Sequence, residues 1–462
     1  MMRWVFALAV IVFLSHGARA IAWDPPLDSW VTQAGALLSE PPGDTATVPE
    51  SAKASNTGHE LTEPEASTPQ PAPDSPAPAP QLLPPDRTAP MSDWDMYAGS
   101  VYANTSPLWV QAEYMLMWTS GTRLPPLLTT SPNGTPVGQA GVWGASGTAS
   151  LFGDQMIGDD ARSGVRTTMG VRLGHWFDYF MDAELEAHLL YLGNPAPNSD
   201  FHAASGGDPI MARPFYNVDT GAEDAQLVAF PGVVSGAIDM ETSSDFLSTG
   251  IVFRRNWRGG SWGRVDWLAG YRHVRFEDRL FIRENLLVTD PGGALPAGTT
   301  IDAFDEFKTW SEFNGGELGL QFWTDYHGWT VDVLAKSALG PMARIVDVQG
   351  STVTAAPAAP ATLSSGGLLA QPTNVGRHRS TYFSIVPEIG IRLRRRVSHT
   401  FVLTLGYTLI LVDHVVRVGA QIDTRVNPTQ MGGNPLVGAA RPHVPMTDRT
   451  LWVQGLTIGL EW

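Results

Sequence analysis

The chain has no cysteine among its 462 residues. That excludes disulfide frameworks, thiolate metal sites and cysteine nucleophiles, and is compatible with an oxidising compartment. After residue 20 it also lacks any uncharged apolar run approaching the roughly 20 residues that a helix needs to cross a bilayer. Membrane insertion would then require a closed β-barrel. No basic tail or stripe offsets the formal charge of -16, which argues against nucleic acid as a partner. His175, His188, His273, His327, His399 and His414 are scattered, with no helical i, i+4 pair and no companion glutamate at zinc spacing. The glycine-rich stretch 138–147 has no lysine or following helix to cradle a phosphate, and no serine sits in a nucleophile elbow. Asp159 and Asp160 lack the regular ligand spacing of a calcium loop and read as a solvated turn. No catalytic residue, metal or cofactor is assigned, and the chain is not read as an enzyme.

What is present begins with Arg3, an apolar run from Trp4 to Leu14 and the small-residue site Ala18-Arg19-Ala20. This is the pattern of a secretory signal peptide over 1–20, cleaved before Ile21. Residues 21–106 carry 15 of the 36 prolines and 12 acidic residues against only Lys53 and Arg87. Such a segment has too little apolar surface to offset the entropy of ordering it, so it is expected to be a disordered, acidic, periplasmic linker.

From Pro107 to Trp462 the texture changes to stretches in which alternate residues are apolar, the period of a β-strand. In Leu108 to Trp118 one face carries Leu108, Val110, Ala112, Tyr114, Leu116 and Trp118, and the other Trp109, Gln111, Glu113, Met115 and Met117. Ten such stretches are found: 108–118, 165–176, 181–192, 242–257, 262–276, 305–324, 328–341, 379–394, 399–415 and 450–462. Short turns at Phe177 to Phe180, Arg258 to Ser261, Asp325 to His327 and Arg395 to Ser398 alternate with long connections at 119–164, 193–241, 277–304, 342–378 and 416–449. Strict alternation of short and long connections, with an even strand count, is the plan of an outer-membrane barrel. The expected fold is therefore an all-β, antiparallel, up-and-down transmembrane barrel of ten strands, or twelve if 277–304 or 416–449 hides more. Its surroundings would be outer-membrane lipid, and its alternating C-terminal strand ending in Trp462 resembles the signal read by the barrel-assembly machinery.

Placing the aliphatic and aromatic face outward sends a set of charges into the lumen. These are Glu113, Asp182, Glu184, Glu186, Asp266, Glu317, Asp332 and Glu388 with Arg166, Arg172, Arg254, Arg264, Arg272, Lys336 and Arg392. Eight acids against seven bases favour a mutually paired network, and hence a packed lumen, over a selective field for one ion. Barrels of about 8 strands are filled and those of 16–18 are open channels, so ten strands lean towards closed.

Several segments resemble one family. They are Pro125 to Pro132, LFGDQMIGDDARSG at 151–164, DWLAGYRHVRFEDRL at 266–280, NGGELGL at 314–320 and HVVRVGAQIDTRVNPTQM at 414–431. Together they are similar to the putative beta-barrel porin-7 family of bacterial outer-membrane proteins, in consistent order over about 107–462. The chain departs from the pattern at Val418-Gly419-Ala420, where Pro-Gly-Asp is expected. The resemblance implies an outer-membrane location and barrel architecture, and supplies no substrate or catalytic residue. The functions to be weighed are a porin-like channel or closed structural barrel, a surface binding or adhesion barrel, and an outer-membrane hydrolase. The last would need a carboxylate and a histidine converging at the outer strand ends, with His273, Asp278, Asp413 and His414 the candidates.

Overall fold

The computed structural model of the chain describes residues 107–194 and 200–462, so the expected leader (1–20) and proline-rich linker (21–106) lie outside the described residues. Ten long strands follow: β1 Leu108–Thr119, β2 Arg162–Arg172, β3 Ala183–Leu192, β4 Val234–Gly260 and β5 Gly263–Val288, then β6 Thr300–Tyr326, β7 Trp329–Ala355, β8 Gly376–Arg396, β9 Val402–Val416 and β10 Asp448–Glu461. Each pairs antiparallel with the next, and β10 returns to β1 with Leu460 opposite Ala112, which closes the ring. The ten-stranded expectation holds.

Register fixes the ring's width. A row of paired residues starts at Arg394 on β8 and runs through Thr404, Gly459, Glu113, Arg166 and Leu190, then Ser248, Val274, Phe313 and Met342. It comes back to β8 at Tyr382, twelve residues from its start. A stagger of that size tilts ten strands by about 40° and leaves an interior that side chains can fill. The turns at one end are tight. His327 and Gly328 both have positive φ, 48° and 75°, the two-residue hairpin turn whose twist matches that of the strands and which favours glycine.

The apolar outward band has two edges. At the short-turn end Trp257, Trp262, Tyr326, Phe401 and Trp462 are exposed. At the other edge, lipid-facing tyrosines turn their hydroxyls to the first outward polar residues. Tyr114 bonds Ser163 at 2.8 Å, Tyr191 bonds Asp245 at 3.0 Å, Tyr271 bonds Asn314 at 2.6 Å and Tyr407 bonds Gln454 at 2.7 Å. From Trp262 to Tyr271 along the tilted strand is roughly 20–25 Å, the height of an outer-membrane barrel's apolar belt.

Strands β4 to β7 do not stop at this edge, and this corrects the expected connections. Most of 277–304, and 342–355 of the next connection, are strand, and neither region adds a strand to the ring. Above Tyr271 the outward residues of β5 become His273, Arg275, Glu277, Arg279 and Arg283, with Phe281 among them under the Arg279 guanidinium, so the apolar alternation that marks a lipid-facing strand ends there although the strand continues. Their neighbours are of opposite charge: Arg279 lies 2.7 Å from Glu306 and 3.3 Å from Glu241, and Arg283 lies 2.6 Å from Asp302.

The inward faces of these extensions are apolar. Leu280, Ile282, Leu286, Phe307, Val346 and Val348 form one core with Leu124, Leu127, Leu128, Met211, Phe215 and Val228 from the connections. A small five-stranded sheet built from Leu128–Thr130, Ala149–Phe152, Met211–Asn217, Ala222–Ala229 and Arg425–Val426 caps that core. The long connections thus make a folded head, flanked by Asp200–Ser205 beside β4 and Thr362–Ser365 beside β7.

Candidate functional site

Inward parity brings most of the expected lumen charges together in the half of the ring nearest the short turns. Glu388 on β8 is their meeting point, 2.8 Å from Arg272, 3.5 Å from Lys336 and 3.8 Å from Arg166. Arg166 also pairs with Glu113 at 2.5 Å, and Arg272 and Lys336 reach Glu317 at 3.1 and 3.2 Å. These bonds cross the lumen, since β2, β5, β7 and β8 are not all neighbours.

A second cluster centres on Arg254, which pairs with Glu184, lies 2.9 Å from Glu186 and 3.8 Å from Asp266, and donates to Gln321 at 3.1 Å. Arg172 approaches Glu184 at 3.5 Å, Arg264 pairs with Asp266 at 2.5 Å, and Arg392 pairs with Asp332 at 3.0 Å. Asp182 is the exception. It is exposed in the connection before β3 rather than inside the ring, because the strand begins at Ala183, two residues later than its alternation implied.

Sequence reasoning missed several members. Gln321 also donates to Asp332 at 2.8 Å and so links the Arg254 cluster to the Arg392 pair. Trp109 donates its indole N–H to Glu184 at 3.1 Å, and Arg394 pairs with Glu461. The ring of Trp323 lies between two guanidinium groups, 5.3 Å from Arg254 and 4.7 Å from Arg394. The inward parity of Trp109, Gln321, Trp323 and Arg394 was readable, but the first three carry no charge and Arg394 closes its stretch, so the set of inward charges left them out. Between the ion pairs remains a cavity of about 70 Å³ lined by Arg166, Glu186, Arg272, Gln321 and Lys336, room for roughly five waters.

Above the ionic layer the lumen is mostly apolar, with Arg162 buried opposite Met117 and donating to Ser244 Oγ at 2.9 Å. Met115 and Met117 of β1, Leu190 and Leu192 of β3, Phe246 of β4, Phe276 of β5, Phe313 of β6, Met342 of β7, Val386 of β8 and Ile410 of β9 form one buried cluster. Because it draws on almost every strand, it fills the cross-section rather than coating one wall. Arg417, entering from the β9–β10 connection, lies over Phe276 at 4.8 Å and pairs with Asp278 at 2.5 Å, tying the cap to the apolar layer.

In the head, Arg213 sits between two carboxylates, 2.6 Å from Asp305 and 3.5 Å from Glu284. Asp305 also accepts backbone N–H bonds from Leu369 at 3.1 Å and Ala370 at 2.8 Å. Burial alone would lower Arg213, but Asp305 and Glu284 outweigh it and hold the guanidinium above its ordinary range. Burial pushes the Glu284 carboxyl up; Arg213 pulls it back and Asp305 adds to the rise. Asp423 has the opposite balance. Burial would raise it, yet bonds from Arg441 at 2.7 Å, His443 Nδ1 at 2.6 Å and backbone N–H groups bring it below its usual range.

The outer-rim histidines are engaged with neighbours. His273 Nδ1 lies 2.9 Å from Asn314 Oδ1. His414 Nδ1 lies 3.0 Å from Asp448, which also pairs with Arg344, and its ring stacks on Tyr382 with centroids 5.3 Å apart. Among the described residues no group of three or more His, Asp or Glu is placed to hold a metal ion, and no helix is long and apolar enough to cross a membrane.

The family described as Putative beta barrel porin-7 matches residues 109–462. No curated protein matches the chain. Among solved structures, the translocator domain of autotransporter NalP from Neisseria meningitidis is 11% identical, with 80% of this chain and 95% of that one covered at a TM-score of 0.22. The P. putida toluene transporter TodX is 8% identical over 78% of this chain and 90% of that one, at a TM-score of 0.21. A Pseudomonas aeruginosa FadL homologue is 9% identical over 77% and 89%, at a TM-score of 0.17. TM-scores this low carry no argument about this chain.

Proposed function

The chain belongs to the Putative beta barrel porin-7 family, and from that premise we propose that it serves in the outer membrane as a closed barrel that anchors a folded head outside the cell. The observation that carries this is the apolar layer across the lumen, with Phe246, Phe276, Phe313, Met115 and Met342 in one buried cluster between the ion pairs and the cap. An ion passing through would have to shed its water among hydrocarbon side chains, at a cost of many kcal/mol. The ionic layer below is consistent with this, because its charges are paired with one another rather than aimed along a path.

A hydrolytic role has less support: His273 is tied to Asn314 and Asp278 to Arg417, while His414, which meets the carboxylates of Asp448 at 3.0 Å and Asp413 at 3.6 Å, has its ring stacked on Tyr382 and shares Asp448 with Arg344. The test is electrical. The full chain, folded into a planar bilayer and verified by its heat-modifiable mobility, is expected to give no single-channel steps. Steady steps of the size of a water-filled lumen would overturn the closed reading and make the inward charges the place to seek selectivity.

A further inference from the structure

Two free strand edges flank the head. Asp200–Ser205 pairs only with β4 among the described strands. On the far side, β8 pairs with β7 from Gly376 onward but with β9 only from Glu388, opposite Ile410. Pro387 has no N–H to extend that ladder, and β9 leaves it. A bulge between Val412 and Val415, with His414 at φ 59°, precedes Val416 and Val418 in the head core. Lower down, Ser384 bonds the Asp413 carbonyl and Tyr382 stacks on His414, so the open edge of β8 is Gly376 to Thr381.

We infer that these two edges pair between neighbouring copies of the chain, Asp200–Ser205 of one antiparallel to 376–381 of the next, so that the sheets of adjacent heads join in the plane of the membrane. Barrels inserted the same way up are related by rotation about the membrane normal, which preserves strand direction. Asp200–Ser205 runs antiparallel to β4, and β4 to β8 alternate in turn, so the two edges point in opposite senses, as an antiparallel join requires.

Their levels also match. Thr242 of β4 shares a row with Leu280, Phe307, Val348 and Gly376. A row that climbs twelve residues over ten strands climbs roughly five across the four steps from β4 to β8. Residues 376–381 therefore stand level with 237–242 of β4, the stretch beside which Asp200–Ser205 lies.

Charge selects the same arrangement. The outward face at the first edge carries Asp200, Asp239 and Glu241, with His202 beside Asp239 and Arg279 beside Glu241, and that at the second carries Arg377 and Arg379, with Asp347 opposite Arg377; the edge strands themselves present Asp200 against Arg377 and Arg379, all three exposed. Pairing the first edge with itself would set acid against acid and place one copy's charged face beside the other's capped apolar face.

The cysteine-free chain suits disulfide trapping. Full-length Ala204→Cys and Arg377→Cys chains, co-produced in one outer membrane and oxidised, are expected to give a disulfide dimer, while each alone gives at least fivefold less. Equal dimer from Ala204→Cys alone, or no dimer although both thiols take maleimide on folded barrels, would overturn the inference. Adding Arg379→Glu to the Arg377→Cys chain is expected to cut the yield about fivefold, and Asp200→Arg in its partner to restore it. A yield that ignores both reversals would also overturn it.

Discussion

Along β5 the same parity rule produces opposite chemistry on either side of Tyr271. Below it Val265, Trp267 and Ala269 face out while Arg264 and Asp266 face in; from Arg275 upward Arg275, Arg279 and Arg283 face out while Phe276, Leu280 and Ile282 face in. The strand, its twist and its pairing do not change there. The solvent outside changes from hydrocarbon to water, and the residues that may be left unburied change with it. The ring and the head are therefore two ways of filling one cylinder, the ring by ion pairs under an apolar layer and the head by an apolar core with a few buried ions.

The sharpest way to break the comparison is to remove an ion from the half that depends least on them. Asp305→Ala would leave Arg213 with Glu284 alone and free the N–H groups of Leu369 and Ala370. Breaking a buried pair from one side costs about 3–5 kcal/mol. The expected result is protease cleavage within 356–375 while the ring keeps its heat-modifiable mobility; loss of both together would mean that ring and head are a single cooperative unit.

A smaller effect tests the boundary itself. Ala335 and Gln349 lie on the same outward face of β7, one inside the apolar band and one above it. Ala335→Arg should destabilise folding into bilayers by about 2–4 kcal/mol, the range for arginine on the lipid face near the midplane. Gln349→Arg should fall within about 0.5 kcal/mol of the parent. Equal effects in urea titrations would show that the band has been set at the wrong height.

The ring was legible because lipid imposes one simple pattern on it: apolar out, strand after strand, with short and long connections in turn. Glu113, Arg166, Arg272, Glu317 and Glu388 followed from that parity. The head was not legible by the same rule, since outward Arg279 and Arg283 look like loop residues to a search for lipid-facing alternation. The inward apolar layer was passed over for a related reason. Met115, Phe246 and Phe313 are hydrophobes on the face assigned to charges, and only the ring's closure brings them together. Asp305 binding the backbone at Leu369 and Ala370, 64 and 65 positions away, left no local signal at all.

The weakest expected effect separates the two carboxylates of the head by pH. Asp423 has a folded value below its ordinary 3.8, so its clamp on Arg441 and His443 contributes stability above about pH 4, lost as pH falls through the lower folded value. Glu284 has a folded value above its ordinary 4.5. Its protonated form suits the folded head, so its contribution is present below 4.5 and lost as pH rises through the folded value. Opposed in sign, the two should give the head's resistance to proteolysis a maximum between the two ordinary values, 3.8 and 4.5. Glu284→Gln is expected to flatten the limb above the maximum and Asp423→Asn the limb below it. The ring, whose ion pairs are shielded by lipid and cap, should keep its mobility across the same range. A head whose resistance does not fall as pH rises from 4.5, or an acid limb that Asp423→Asn leaves intact, would mean that these carboxylates do not govern it.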